Sequence, residues 1–161
     1  MTSKRKNKGF SKKKADKKKA SQKKADKKKF VKKIDKKKAE EVLRKGAEKV
    51  QPADVEKVLK ASEDLKSKFE AEGPLQQFIA DFKVLFSMLK DYWSGRYRAV
   101  PYWAIAAIAF AFLYVINPMD IIPDVIPVVG YLDDAMVVAA CIALVREDLH
   151  SYRKWRENNP E

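Results

Sequence analysis

The sequence predicts an all-α, membrane-associated protein. It reads as a small helical domain, an amphipathic helix plus an apolar helical hairpin, behind a disordered lysine-rich N-terminal tail. Three observations carry that expectation. Apolar side chains recur between residues 75 and 93 at i, i+3, i+4 and i+7 spacing, the template of an amphipathic helix. No charged residue interrupts the 21 residues from Ala99 to Met119. Charge is also segregated along the chain. Residues 1–38 hold 20 Lys/Arg against 3 Asp, a net of +17, whereas residues 39–161 hold 15 Lys/Arg against 19 Asp/Glu, a net of −4. The overall +13 is therefore a property of the tail.

Residues 1–38 are low in complexity. A Lys/Ala/Asp/Lys unit recurs imperfectly around Asp16, Asp26 and Asp35. Like charges repel and few apolar residues are present to offset the ordering entropy, so disorder in isolation is expected. The clusters Lys12, Lys13, Lys14, Lys17, Lys18, Lys19, Lys27, Lys28, Lys29, Lys36, Lys37 and Lys38 point to a polyanionic partner. Arg5 is the tail's one arginine, and lysine is a point charge that does not fork onto a base edge. Two partners fit: anionic lipid headgroups, which the apolar hairpin nearby favours, and nucleic-acid backbone bound without sequence preference. No apolar segment follows the basic N-terminus as a secretory signal would require, so the tail is expected in the cytoplasm.

Residues 39–73 read as a charged helical linker, interrupted by Gly46 and Pro52. Asp54 to Ala71 carries a thin apolar stripe (Val55, Val58, Leu59, Leu65, Phe69) that suits an exposed helix leaning on the domain or on a second copy. Gly73-Pro74 ends it. Residues 74–157 form the expected domain. Its first helix presents Leu75, Phe78, Ile79, Phe82, Leu85, Phe86, Leu89, Tyr92 and Trp93, either as a core face or as a helix lying in a membrane interface.

The next segment is apolar on all sides. Ala99 to Ile116 is 18 residues, roughly 27 Å as helix against a hydrocarbon core of about 30 Å. Its eight Val, Ile, Leu or Phe residues favour insertion by roughly 2–5 kcal/mol. Tyr102, Trp103 and Tyr114 resemble interfacial aromatics. A transmembrane helix is therefore expected here, because the rest of the chain looks too small to surround it. A second helix over 134–156 would complete a hairpin. Arg96 and Arg98 would then lie beside Arg146, Arg153, Lys154 and Arg156, with both basic ends cytoplasmic.

Between the two helices lies a corner, Asn117 to Asp134. Asn117, Pro118, Pro123, Pro127 and Gly130 fix its turns, and Asp120, Asp124, Asp133 and Asp134 sit among apolar residues. Clustered carboxylates suit a hard cation such as Mg²⁺ or Ca²⁺. They equally suit helix caps, since Asn117-Pro118 and Asp133 or Asp134 stand where helices begin. The stretch YVINPMDIIPDVIPVVGYLDDAMVV resembles the signature of the YkvA-like domain family, whose function is unknown. The pattern is an apolar helix, Asn/Ser-Pro-x-Asp-x-x-Pro-Asp-x-x-Pro, then Gly-x-x-Asp-Asp. It is met at Asn117, Pro118, Asp120, Pro123, Asp124, Pro127, Gly130, Asp133 and Asp134. The resemblance spans roughly residues 97–145 and implies membrane association, with no substrate, cofactor or activity attached.

No spaced His/Cys set, phosphate loop or nucleophile motif is present, and no cofactor is called for. Cys141 lies in an apolar run, as an inert buried thiol would, and His150 in a charged helix end. The leading expectation is a non-enzymatic structural or adaptor role at the cytoplasmic membrane face, with homo-oligomerisation an open partner. The alternatives are a soluble helical domain whose tail binds nucleic acid and, more weakly, a divalent-metal-dependent enzyme using the Asp cluster.

Overall fold

The computed structural model describes residues 7–117 and 133–161, and their side chains except those of 7–16, 30–32, 34 and 35. Every regular element among these residues is helical. The chain divides into two compact units, Met1–Asp35 and Lys36–Glu161.

The first unit is built from helix α1, Asn7–Lys49, whose last fourteen residues belong to the second unit. Helical backbone is described from Asn7, within the segment whose charge leads to an expectation of disorder in isolation. Lys and Ala are good helix formers, and no proline precedes Pro52. Each Asp of the repeat also has lysines three residues away on either side, such as Lys23 and Lys29 around Asp26. The side chains of residues 17–29 are all exposed, so this helix rests on local propensity and not on packing.

The second unit begins inside α1. Ala39, Val42, Leu43, Gly46 and Val50 are buried at helical spacing. The linker expected over 39–73 is thus part of the core. Gly46 does not interrupt the helix; it lies against the ring of Phe110, at a distance no side chain would allow. Helix α2 (Pro52–Lys60) follows. Pro52 occupies its first turn, and the Gln51 amide donates to Asp54 Oδ2 at 2.8 Å. The single helix expected over 54–71 breaks at Ala61 (φ −89°, ψ 20°) and resumes as α3, Ser62–Glu70. Val55, Val58, Leu65 and Phe69 are completely buried. A thin stripe, one large apolar side chain per turn, is enough to fix two short helices to a core.

A 3₁₀ turn, Gln76–Phe78, leads into α4, Ile79–Trp93, which buries Phe82, Leu85, Met88 and Leu89. Helix α5, Tyr102–Ile116, is the centre of the unit. Ala104 to Phe112, Tyr114 and Val115 are all buried. It packs against α2, α3, α4 and α6 (Asp134–Leu144). Alanines at 104, 106, 107, 109 and 111 let neighbouring helices approach it closely. Aromatic rings close one side: Phe69 stacks on Phe82 with centroids 4.5 Å apart, and Phe112 meets Phe82 edge-on at 5.5 Å.

This corrects the transmembrane expectation. Pro101 and Asn117 bound α5 at 15 residues, roughly 22 Å. No helix among the described residues is long and apolar enough to cross a membrane. The chain does surround this helix, because residues 39–73 supply helices that the sequence reading left outside the core. Tyr114, expected at an interface, is 1% exposed. The last helix expected over 134–156 is two: α6 ends at Val145 (φ −100°, ψ 15°), and α7, Arg146–Asn158, packs on α4.

Candidate functional site

The two ends of the proline-rich corner meet a third element. The C-terminal carbonyls of α5 lack intrahelical partners. Lys68 of α3 reaches them, its Nζ donating to Val115 O at 2.8 Å and Ile116 O at 3.2 Å. A cation there also complements the negative end of the helix dipole. Asn117 is the C-cap residue of α5 and is exposed. On the far side of the corner, Asp133 is the N-cap of α6, with Oδ1 accepting from Ala135 N at 3.1 Å. Asp134 follows in the first turn.

The electrostatics of these groups are linked. Burial pushes the Asp134 carboxyl above its ordinary value; the Lys68 charge opposes that shift and Asp133 adds to it. Burial, then Asp134 and Asp133, raise the Tyr114 phenol. Lys68, Tyr114, Asp133 and Asp134 therefore form one electrostatic group where α3, α5 and α6 converge. Asp120, Asp124, Pro118, Pro123, Pro127 and Gly130 lie outside the described residues. Among the described residues, no three His, Cys, Asp or Glu side chains come together as a metal would need.

Of the lysines singled out in the sequence, Lys17, Lys18, Lys19, Lys27, Lys28, Lys29, Lys36, Lys37 and Lys38 are exposed. Lys12, Lys13 and Lys14 lie within α1, with their side chains outside the described set. His150 is exposed on α7, and Cys141 is buried with its thiol pushed up to about 12 by desolvation.

Two features were missed by sequence reasoning. The first is Asp91, the one buried polar or charged residue among those described, at 4% exposure. Tyr152 Oη donates to its Oδ2 at 2.6 Å, and Arg96 Nη1 to its Oδ1 at 3.1 Å. Arg96 also sits 5.9 Å from the Trp155 ring, and Tyr97 packs against Tyr152 and Trp155. Arg96 and Arg156 both act on the Tyr152 phenol, so the connection between α4 and α5 lies near the later part of α7. The available signal was Asp91's place three residues beyond Met88 on the buried face of α4. The second feature is a cleft of about 360 Å³ between the end of α1 and the start of α5, rimmed by Tyr102 and Trp103.

The family model described as "Protein of unknown function (DUF1232)" matches residues 104–140, which run from the first turn of α5 through the corner into α6. The "Uncharacterized membrane protein YkvA" of Bacillus subtilis (strain 168) is 37% identical over 78 residues, covering 48% of this chain and 74% of that protein. No solved structure matches the chain. With the central helix and both flanks of the corner inside the matched region, the chain belongs to the DUF1232 family of YkvA-like proteins.

Proposed function

We propose that this protein is a non-enzymatic structural or adaptor component held at the surface of an anionic membrane leaflet, on its cytoplasmic side, by its lysine-rich helix. The observation that carries the reading is the segregation of charge along the sequence: a net of +17 over residues 1–38, where the described lysines are exposed, against −4 over residues 39–161. Near an anionic surface each lysine contributes on the order of 1 kcal/mol, so about ten of them hold a small protein firmly at low salt. The relative from Bacillus subtilis is a membrane protein by name. Enclosure of α5 by its own helices favours docking on the bilayer over threading through it.

The test is co-sedimentation of the full chain, and of residues 36–161 alone, with phosphatidylglycerol-containing or purely phosphatidylcholine vesicles across a salt series. The full chain is expected to pellet with anionic vesicles at low salt, to be released at high salt, and to ignore neutral ones. The truncated chain is expected to lose most of that binding. Indifference to lipid charge would sink the reading. Tighter binding to duplex DNA than to vesicles of matched charge would favour the nucleic-acid alternative.

A further inference from the structure

We infer that Ser21 is a phosphorylation site, at which a serine kinase with an acidic substrate groove weakens the hold of the lysine-rich helix on its anionic surface. The inference rests on the membrane-surface reading above and adds to it the residue through which that attachment is regulated.

The lysine-rich segment has a five-residue register. Lys-Lys-Lys-Ala-Asp occupies 12–16, Lys-Lys-Lys-Ala-Ser 17–21 and Gln-Lys-Lys-Ala-Asp 22–26. Ser21 therefore stands where both neighbouring units carry an acid. A phosphate on its oxygen puts about −1.5 to −2 at that position at neutral pH, somewhat more than an aspartate does. Between Lys12 and Ala61 no other side chain bears a hydroxyl, so a kinase acting on this part of the chain finds one acceptor.

Access and recognition both favour the transfer. Ser21 is exposed, and so is every side chain from Lys17 to Lys29. With no packing to lose, a turn or two of this helix opens into an extended substrate conformation at little cost. Lys18 and Lys19 stand three and two residues before the hydroxyl, with the small Ala20 between, an approach that an acidic groove binds by charge. In the transfer, Ser21 Oγ attacks the γ-phosphorus of a nucleoside triphosphate held by the kinase. The new O–P bond forms as the bond from that phosphorus to the bridging oxygen breaks. The nucleoside diphosphate leaves, and the hydroxyl proton passes to the kinase's catalytic carboxylate.

The product finds partners within the helix. Lys17, Lys18 and Lys24 lie three or four residues from Ser21, one turn to either side, as Lys23 and Lys29 lie around Asp26. Phosphate oxygens accept charge-assisted hydrogen bonds from such ammonium groups. Those lysines are then turned from the membrane's phosphates to an internal one. Residues 17–29 hold eight lysines against one Asp, a net of +7, which the modification lowers to about +5.

The experiment compares the full chain, the full chain with phosphoserine inserted at position 21 during translation, and Ser21→Ala. Each is co-sedimented with phosphatidylglycerol/phosphatidylcholine vesicles over a salt series. The phosphorylated chain is expected to bind roughly tenfold more weakly at low salt, the share of about two surface charges. The gap is expected to close as salt rises. Ser21→Ala is expected to bind like the parent. In parallel, the chain isolated from its own cells is cut before its aspartates, and the peptide 16–25 is expected to carry one phosphate, on Ser21, that a phosphatase removes. Equal binding of the parent and the phosphorylated chain would overturn the inference and leave the lysine reading standing. A peptide 16–25 found unmodified in every growth phase would overturn it too. A defect of the same size at every salt concentration would assign the effect to a broken helix and not to charge, and would also overturn it. Failure of every form to bind vesicles would remove both readings.

Discussion

The hydroxyl of Tyr152 donates to the carboxylate of Asp91 at 2.6 Å, joining α7 to α4 across 61 residues of chain. With Arg96 on its other oxygen, the Asp91 charge is partnered on both sides although nearly withdrawn from water. Removing one partner of a buried carboxylate leaves its desolvation uncompensated. Tyr152→Phe is therefore expected to lower the unfolding free energy by about 1–3 kcal/mol, read from urea denaturation. A pH signature accompanies the loss. Burial first, and then the bond to Asp91, holds the Tyr152 phenol above its ordinary value, so the folded state prefers the neutral form. That contribution is fully present below about pH 10 and disappears as the pH rises above it. The alkaline fall in stability should be steeper in the parent than in Tyr152→Phe. It will not vanish in the variant, because Tyr97 and Tyr114 are also raised. Identical alkaline limbs for the two proteins would count against the assignment.

Gly46→Ala sets two effects against each other. Alanine is worth about 1 kcal/mol more than glycine inside a helix. The added methyl would meet the ring of Phe110, itself 3% exposed and hemmed in by the core. Overpacking of this kind costs about 1–3 kcal/mol. A net loss of up to about 2 kcal/mol is expected, the reverse of the ordinary effect of this substitution. Adding Phe110→Leu should make the glycine substitution less harmful, and a thermal-melt double-mutant cycle measures the difference. Strict additivity would show that the ring is not what forbids the methyl.

Lys68→Met keeps the apolar stem but removes the donors to Val115 and Ile116. Lys68 is largely exposed, so solvent screening trims the effect to about 0.5–1.5 kcal/mol at neutral pH. The same change takes a positive charge from Asp134, whose carboxyl burial already raises. Its midpoint should move higher still in a carbon-13 carboxyl titration. A carboxyl raised by folding opposes the folded state once ionised, so the variant should lose less stability near pH 3 than near pH 7. An unmoved Asp134 midpoint would show that the Lys68 charge does not act across the corner.

How much of this was legible in the sequence depended on whether a segment's burial was one-sided. The stripe through Phe82, Leu85 and Leu89 announced both the helix and its buried face, since only one side of α4 is apolar. In α5 the apolar residues run all the way round, a pattern that hydrocarbon and a protein core impose alike. What decides between them lies in another segment, in Val42, Leu43, Val58 and Phe69, whose sparse spacing among charges looked like a solvent-facing linker. Asp91 has the spacing of the buried face of α4, but the hydroxyl that helps to hold it there comes from Tyr152, far along the chain, and an acid at a helix end ordinarily faces water. The cap of α6 could be narrowed to Asp133 or Asp134 from their place before an apolar run, and the structure gives it to Asp133, whereas Lys68 could not be tied to α5 from sequence spacing alone.

Cys141 provides a clock. The chain has a single thiol, shut inside the contact between α6 and its neighbours and held at about 12 by that enclosure. Alkylating reagents attack the thiolate, so at neutral pH the closed protein offers them almost nothing. A free unfolded cysteine, near 8.5, reacts readily. The rate at which iodoacetamide consumes this one sulfur therefore counts openings of the helical unit, without any label or engineered probe. Run with and without vesicles, the same clock would time whether contact with a bilayer leaves the helices closed or loosens them.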